Sequence, residues 1–257
     1  MLSILLTRLQ QKYRTMPWPD GPVPALPERF AGRPALERTA CRNCGRCTQV
    51  CPVAAITPSP EGRTLDTGRC LFCRACERAC PQQAIRFTRE YSLGAATRAA
   101  LQTGTPATPP PSALVEKARA YFGRSLKLRQ VSAGGCNACE ADTNVLSTVA
   151  WDLGRFGIQF VASPRHADGL LITGPVSANM RLALEKTYAA VPAPKIVIAC
   201  GACAIAGGPY AGHPETLDGA SKVVPVDLFI PGCPPHPLTI LDALLRFVGR
   251  IPEADAL

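Results

Sequence analysis

Eight of the thirteen cysteines in this 257-residue chain fall into one repeated phrase, Cys41-x2-Cys44-x2-Cys47-x3-Cys51-Pro52 and Cys70-x2-Cys73-x2-Cys76-x3-Cys80-Pro81. In this spacing three close cysteines take three corners of a [4Fe-4S] cube, and the fourth, before proline, reaches across to the other cube. The pattern therefore assigns Cys41, Cys44, Cys47 and Cys80 to one cluster and Cys70, Cys73, Cys76 and Cys51 to a second. A disulfide framework and a zinc module also concentrate cysteines. Zinc modules pair two C-x2-C knuckles, however, whereas a third cysteine after a further x2 and a proline after the fourth belong to cubanes. The offset of 29 between the two phrases also carries Ala55 onto Ala84 and Ile56 onto Ile85, so two half-modules share one small core.

Four more cysteines, Cys136, Cys139, Cys203 and Cys233, lie in a second region with a different texture. From Ser125 onward, short β-rich runs (Leu126 to Val131, Gly157 to Ala162, Gly169 to Thr173, Lys195 to Ala199, Val226 to Ile230) alternate with helical stretches near 138 to 155, 177 to 190 and 236 to 249. Such alternation predicts a mostly parallel sheet with helices on both faces, which binds cofactors in loops at the carboxyl ends of its strands. Cys136, Cys203 and Cys233 each follow a predicted strand end, in loops rich in glycine and proline. Glycine lets backbone approach a bulky group closely, and proline fixes a loop with little entropy left to lose. A third four-cysteine cluster site is expected here.

Bulk properties fit this reading. Apolar residues make up 47% and charged residues 18%, as in globular chains long enough for two domains. The formal charge of +9 counts every cysteine as neutral. Twelve thiolates around three oxidised cubes add roughly −2 each, leaving about +3, so most of the basic excess offsets cofactors and nucleic-acid binding is not expected. No basic-apolar-small leader is evident, no apolar run reaches membrane-spanning length, and thiolate chemistry favours a reducing compartment. The expectation is a cytoplasmic location.

The expected organisation is an amphipathic helix and proline-rich strap over 1–36, a ferredoxin-like α+β two-cluster domain over 37–95, a proline-rich linker over 96–113, and an α/β flavodoxin-like domain over 114–257. Leu2, Leu5, Leu6 and Leu9 share one face of the leading helix, against Arg8, Lys12 and Arg14. That face suits packing or membrane contact alike. A helix is expected over Ser112 to Phe122, stopped at Gly123.

Several motifs together resemble a known family: Gly134-Gly-Cys-Asn-Ala-Cys-Glu140, Ser163-Pro-Arg-His-Ala-Asp168, Leu171-Ile-Thr-Gly-Pro-Val176, Gly201-Ala-Cys203 and Val226-Asp-Leu-Phe-Ile-Pro-Gly-Cys-Pro-Pro235. Residues 113 to 250 resemble the small subunit of energy-converting, group 4 [NiFe] hydrogenases, with the corresponding iron-sulfur subunit of complex I a more distant likeness. Residues 1 to 100, through Gly68-Arg-Cys-Leu-Phe-Cys73, resemble the two-cluster ferredoxin subunit of formate hydrogenlyase. The resemblance implies a fusion of the two. It implies that Cys136, Cys139, Cys203 and Cys233 hold the [4Fe-4S] cluster nearest a catalytic metal carried by a partner large subunit, with no nickel ligands in this chain. It also implies membrane subunits, a soluble electron donor or acceptor such as ferredoxin or a formate dehydrogenase, and attachment through partners to the cytoplasmic face of the inner membrane. Glu140 matches a glutamate assigned to proton movement; the plainer reading makes it a carboxylate capping the following helix. Arg165 and His166 match a partner-interface motif.

Cys200 reads as a core residue closing an apolar strand, His236 as an outer-shell hydrogen-bonding group near Cys233, and His213 has no assigned role. The expected activity is that of an oxidoreductase component relaying electrons through three [4Fe-4S] clusters. Two alternatives stand beside it: a subunit of a quinone-reducing or nickel-free relative of such a complex, and a non-enzymatic iron-sulfur assembly or redox-sensing module.

Overall fold

The computed structural model describes residues 2–12, 14–60, 62–102, 120–122 and 124–251. The sheet of the carboxyl-terminal unit explains the position of everything else. Its five strands are β5 (Leu126–Ser132), β6 (Ile158–Phe160), β7 (Gly169–Thr173), β8 (Ile196–Cys200) and β9 (Leu228–Ile230), all parallel, in the order β6-β5-β7-β8-β9. That order is the flavodoxin-like doubly wound sheet, whose direction of winding reverses beside the first strand.

The strands form because both faces are apolar. Leu170 and Ile172 point into one core, and Leu171 points into the other. The core beneath Leu171 is closed by α7 (Pro237–Phe247), the opposite one by α5 (Ala178–Ala190) with Leu184 and by α6 (Ala202–Ala206) with Ala204 and Ile205. Two-sided burial of continuous Val, Leu and Ile runs is the signature of parallel sheets. The helix α4 (Ala138–Val145) follows β5 at the switch point. It is shorter than the stretch of 138 to 155 expected from sequence, because turns follow it, Asp152 takes a left-handed conformation at φ 47° and a short 3-10 turn spans Leu153–Phe156. The strand expected over 157 to 162 likewise contracts to β6, since Gly157 is left-handed at φ 72°.

The amino-terminal unit is the expected α+β arrangement on a small scale. Strand β1 (Pro34–Leu36) pairs antiparallel with β4 (Ile85–Phe87), and β2 (Ile56–Ser59) forms a hairpin with β3 (Gly62–Leu65). Two short helices, α2 (Arg46–Gln49) and α3 (Ala75–Ala79), carry the middle of each cysteine loop. Their shared core holds Val53, Ala55, Ile56, Leu65 and Ile85. The repeat is visible in the backbone too. Asn43 and Phe72, Gly45 and Arg74, and Ala54 and Gln83 are pairs 29 residues apart, and all six are left-handed.

The two units are joined along an extensive contact. Ala95 exchanges both backbone hydrogen bonds with Phe229 at the edge of β9, at 2.9 and 2.8 Å. Gly68 packs so tightly that a Cβ there would meet Leu101 and Ile205 below 3 Å. The strap, expected to be extended, carries turns closed by Gly21 N–H on the Pro17 carbonyl and Phe30 N–H on the Pro27 carbonyl, and Trp18 is buried in the core under α7. It then runs to Gly32 and Arg33, which hydrogen-bond to Thr88 and Glu90. Helix α1 (Leu2–Gln11) forms as expected and buries none of its residues. Of the linker expected over 96–113, residues 96–102 are folded, with a 3-10 turn at Ala99–Leu101 and Leu101 buried, and the rest lies outside the described residues, as do most of the helix expected over 112 to 122 and its stop at Gly123, although 120–122 are helical. No described helix is long and apolar enough to cross a membrane.

Candidate iron-sulfur centres

The eight amino-terminal cysteines surround two separate hollows. Cys41, Cys44, Cys47 and Cys80 line the first, and Cys51, Cys70, Cys73 and Cys76 line the second. Each loop thus gives three sulfurs to its own hollow and lends its proline-preceded fourth to the neighbour's. Left-handed residues at matching places bend each loop around its hollow, a conformation that non-glycine residues hold only where the surroundings enforce it.

Local hydrogen bonding already suits thiolates. The Ala55 N–H donates to Cys51 Sγ at 3.2 Å, and the Ala84 N–H, 29 residues on, donates to Cys80 Sγ at 3.3 Å. The Phe72 N–H donates to Cys70 Sγ at 3.3 Å. Against this, burial pushes the Cys70 thiol up to about 12 and Cys76 up to about 11, with neighbouring sulfurs adding to the push. Sulfurs gathered this way become thiolates at neutral pH when a cation balances them.

The fit to a cube is testable on the residues themselves. A four-sulfur zinc site, with bonds of about 2.3 Å, draws its sulfurs onto one point. Among the described residues no three Cys, His, Asp or Glu side chains converge in that way. Among the described residues, two buried side-chain atoms lack a hydrogen-bond partner: Thr48 Oγ1, in the first loop, and Nε of Arg63, a residue that lines the first hollow. A buried donor without an acceptor is costly in protein alone, and an anionic group in the hollow is what it suits. The residues fit a cubane at each hollow.

A third convergence forms at the carboxyl edge of the sheet. Cys136 and Cys139 follow β5, Cys203 follows β8 and Cys233 follows β9. Gly201, two residues before Cys203, packs against the Cys139 sulfur, a Cβ there standing 2.6 Å from it, and beside the carbonyl of Gly232, one residue before Cys233. Loop contacts hold them there: Ala202 N–H donates to the Gly232 carbonyl and Gly201 N–H to the Ile230 carbonyl, each at 2.8 Å. Burial pushes Cys203 up to about 11 and raises Cys139 and Cys233 as well. Cys136 and Cys233 remain exposed, so one side of this site faces outward. Leu71 and Phe72, in the loop that carries Cys73, line one cavity with Cys233 and His236, so the second cysteine loop lies beside the third group.

Glu140 occupies the first turn of α4, but its side chain turns to the sheet. Its Oε1 accepts from Ser132 Oγ at the end of β5 and from Thr173 Oγ1 at the end of β7, both at 2.6 Å. The plain capping expectation is corrected: these bonds stitch α4 to two strands and leave the helix start to its backbone. Thr143, one turn on, donates to the Cys139 carbonyl at 2.7 Å. Cys200 is fully buried, as expected of a core residue, yet it is also a neighbour of Cys139. His236 accepts from the Leu238 N–H through Nδ1 at 3.2 Å, so it caps α7, and its ring meets Phe30 and Trp151 edge-on. Arg165 and His166 lie on the turn after β6. In its loop, His213 accepts from the Glu215 N–H at 3.2 Å.

Known proteins carry related sequences. Residues 136–247 match the family described as NADH ubiquinone oxidoreductase, 20 kDa subunit, and residues 40–85 match the 4Fe-4S dicluster domain. The probable membrane-bound hydrogenase subunit mbhJ of Pyrococcus furiosus is 42% identical over 131 residues, which cover 51% of this chain and 78% of that protein. The chain belongs to the 20 kDa subunit family. A dicluster ferredoxin unit is fused ahead of the family's hydrogenase small-subunit-like domain. Formate hydrogenlyase subunit 7 of Escherichia coli is 41% identical over 130 residues, covering 51% of each chain. An NADH-quinone oxidoreductase subunit of Heliobacterium modesticaldum is 38% identical over 120 residues, covering 46% of this chain and 69% of that one. Membership makes the chain an oxidoreductase component with an iron-sulfur, electron-transfer role.

Ser132, Thr173, Thr143 and Arg63 were not singled out in the sequence. Three are small polar residues at strand ends or on a helix, and one is an arginine in a polar hairpin; none carries a spacing signal.

Proposed function

We propose that this chain is the electron-transfer subunit of a membrane-bound, energy-converting [NiFe] hydrogenase or formate hydrogenlyase-like complex. Three [4Fe-4S] clusters, held by Cys41, Cys44, Cys47 and Cys80, by Cys51, Cys70, Cys73 and Cys76, and by Cys136, Cys139, Cys203 and Cys233, would each accept and release one electron. The observation that carries this reading is the chain of neighbours: two four-cysteine hollows, and a third group of four cysteines whose Cys233 shares a cavity with Leu71 and Phe72 of the second cysteine loop.

The protein's part is ligation, burial and hydrogen bonding, which set potentials and exclude water. Backbone N–H groups at Ala55, Phe72 and Ala84 place positive partial charge on ligand sulfurs. Gly201 and Gly208 clear space beside Cys139 and Cys203. The exposed side of the third site, where Cys136 and Cys233 face outward, suits a large subunit carrying the catalytic metal, and Arg165 and His166, on the turn between β6 and β7, are further candidate interface residues. Glu140 borders that site and is the residue to move a proton across it. Cys136-x2-Cys139 favours the hydrogenase side of the family. Membrane subunits would hold the complex at the cytoplasmic face of the inner membrane, and a soluble carrier such as ferredoxin or a formate dehydrogenase would exchange electrons at the dicluster unit.

The test is purification of the native complex. Iron near twelve per chain, three cubane signals in electron paramagnetic resonance, a co-purifying nickel-bearing large subunit and hydrogen evolution are expected. A large subunit without nickel would move the assignment to a quinone-reducing relative, and iron near four per chain with no stable partner would move it to an assembly or sensing module.

A further inference from the structure

The two amino-terminal hollows are related by the sequence repeat but differ in charge. Arg63, on β3, lines the first. One guanidinium nitrogen, Nη2, donates to the Asn43 carbonyl at 3.2 Å and lies 3.8 Å from where a Cβ on Gly45 would be. Its Nε is buried and has no partner. Arginine stays ionised in proteins, so this is a fixed positive charge on a half-buried side chain, with a buried donor to spare, in the wall of the first hollow.

The second hollow has its own arginine, Arg74, standing 29 residues after Gly45 in the equivalent left-handed position. Its charge is answered. Arg74 Nε donates to Glu77 Oε2 at 2.5 Å, and Glu77 Oε1 accepts from the Phe87 N–H at 3.1 Å. The two side chains form an ion pair, so the opposite charges offset each other beside the second hollow.

We infer that Arg63 is a positioning residue that sets the reduction potential of the first cluster above that of the second. Adding an electron makes a cube more negative. A nearby cation without a counter-charge favours that state through Coulomb attraction that burial strengthens, while a neutral pair contributes little. The inference rests on the proposed ligation of both hollows, and it makes the dicluster unit asymmetric. An electron would rest on the first cluster, while the second, whose loop shares a cavity with Cys233 through Leu71 and Phe72, stays the less occupied step toward the third.

The test is a redox titration of the anaerobically purified full chain, followed by electron paramagnetic resonance, with iron counted in every sample. Arg63→Gln is expected to lower the potential of one dicluster signal and leave the other in place. Arg63→Lys, which keeps the charge and loses the Nε donor, is expected to fall between that variant and the native chain. Glu77→Gln keeps the side-chain shape, leaves the first loop untouched and unmasks Arg74; it is expected to raise the other signal and narrow the gap between the two. The inference is overturned if Arg63→Gln retains both signals at native potentials. Should Arg63→Gln fail to load its cluster, an unchanged gap in Glu77→Gln overturns the same charge argument. Absence of two cubane signals in the native chain would instead refute the ligation reading beneath it.

Discussion

Gly201 lies so close to Cys139 that a Cβ on it would stand 2.6 Å from the cysteine sulfur, nearer than real Cβ atoms approach. The glycine is also left-handed, at φ +94°, so a side chain there meets strain as well as contact. Gly201→Ala is therefore expected to displace Cys139 and cost the third site its cluster, lowering iron by about four per chain while the two amino-terminal signals persist. Gly212 is the control: it too has a positive φ, +80°, but nothing lies within 4 Å of where its Cβ would be. Gly212→Ala should keep all its iron and lose about 1 kcal/mol of stability. Equal iron in the two variants would remove Gly201 from the account of the third site.

Glu140 is held by donors from two different strands, which makes its position separable from its chemistry. Thr173→Val and Ser132→Ala each remove one hydroxyl that donates to Oε1, and each is expected to lower unfolding stability by about 1 kcal/mol. Glu140→Gln keeps an oxygen for both hydroxyls to donate to, so iron content and cluster signals should be unchanged. If the carboxyl passes protons in the assembled complex, that variant loses hydrogen evolution with its clusters intact. Full activity in Glu140→Gln would leave the residue a purely structural role.

What could be read from the sequence follows from what leaves a periodic trace. The C-x2-C-x2-C-x3-C-P phrase and its offset of 29 foretold which cysteines share a hollow, because ligand geometry forces spacing. Strands β5, β7, β8 and β9 were legible as apolar runs bounded by Gly, Pro or charge, and burial on both faces is what makes such runs continuous. The end of α4 was not, since Thr148, Val149 and Trp151 continue an apolar pattern while turns and a left-handed Asp152 break the backbone. The tie from Glu140 to Ser132 and Thr173 was equally hidden. It depends on three strand and helix ends meeting in space, and no local pattern reports that.

His236 gives the fold a dependence on pH with a definite sign. Its Nδ1 accepts from the Leu238 N–H, which requires the unprotonated nitrogen, and burial lowers its affinity for a proton from the usual 6.5. The unfolded chain then binds more protons than the folded one across that window, so stability rises with pH there. The contribution is complete above the ordinary histidine value and is lost as pH falls through the folded one. Half-buried Asp142 and Asp227 and buried Asp242, all raised by desolvation, work in the opposite direction at lower pH. Comparison with His236→Asn, which can still cap α7 and does not titrate, isolates the histidine. Denaturant unfolding of both between pH 7.5 and about 5.5 should show the native chain losing more; parallel curves would exclude the cap as the titrating element.

The strap's grip on the carboxyl-terminal unit is concentrated at Trp18 and Arg155. Trp18 is 4% exposed, packs into the core under α7 and meets Tyr91 edge-on at 6.3 Å. Arg155 donates from Nη1 to the Met16 carbonyl at 2.8 Å and from Nη2 to the Trp18 carbonyl at 2.6 Å. Because Leu26 and Pro27 in turn accept from Arg89 of the cluster unit, the strap spans both units. Emptying the pocket with Trp18→Ala is expected to cost about 3 to 5 kcal/mol. Arg155→Ala should cost about 2 kcal/mol, since two charge-assisted bonds at a partly exposed site are lost. Both variants should expose Arg14 and Arg29 to trypsin faster than the native chain, with Trp18→Ala the faster, while iron in the two amino-terminal hollows is retained. Native cleavage rates in Trp18→Ala would mean that the contacts of Ala95 with Phe229, and not the strap, hold the two units together.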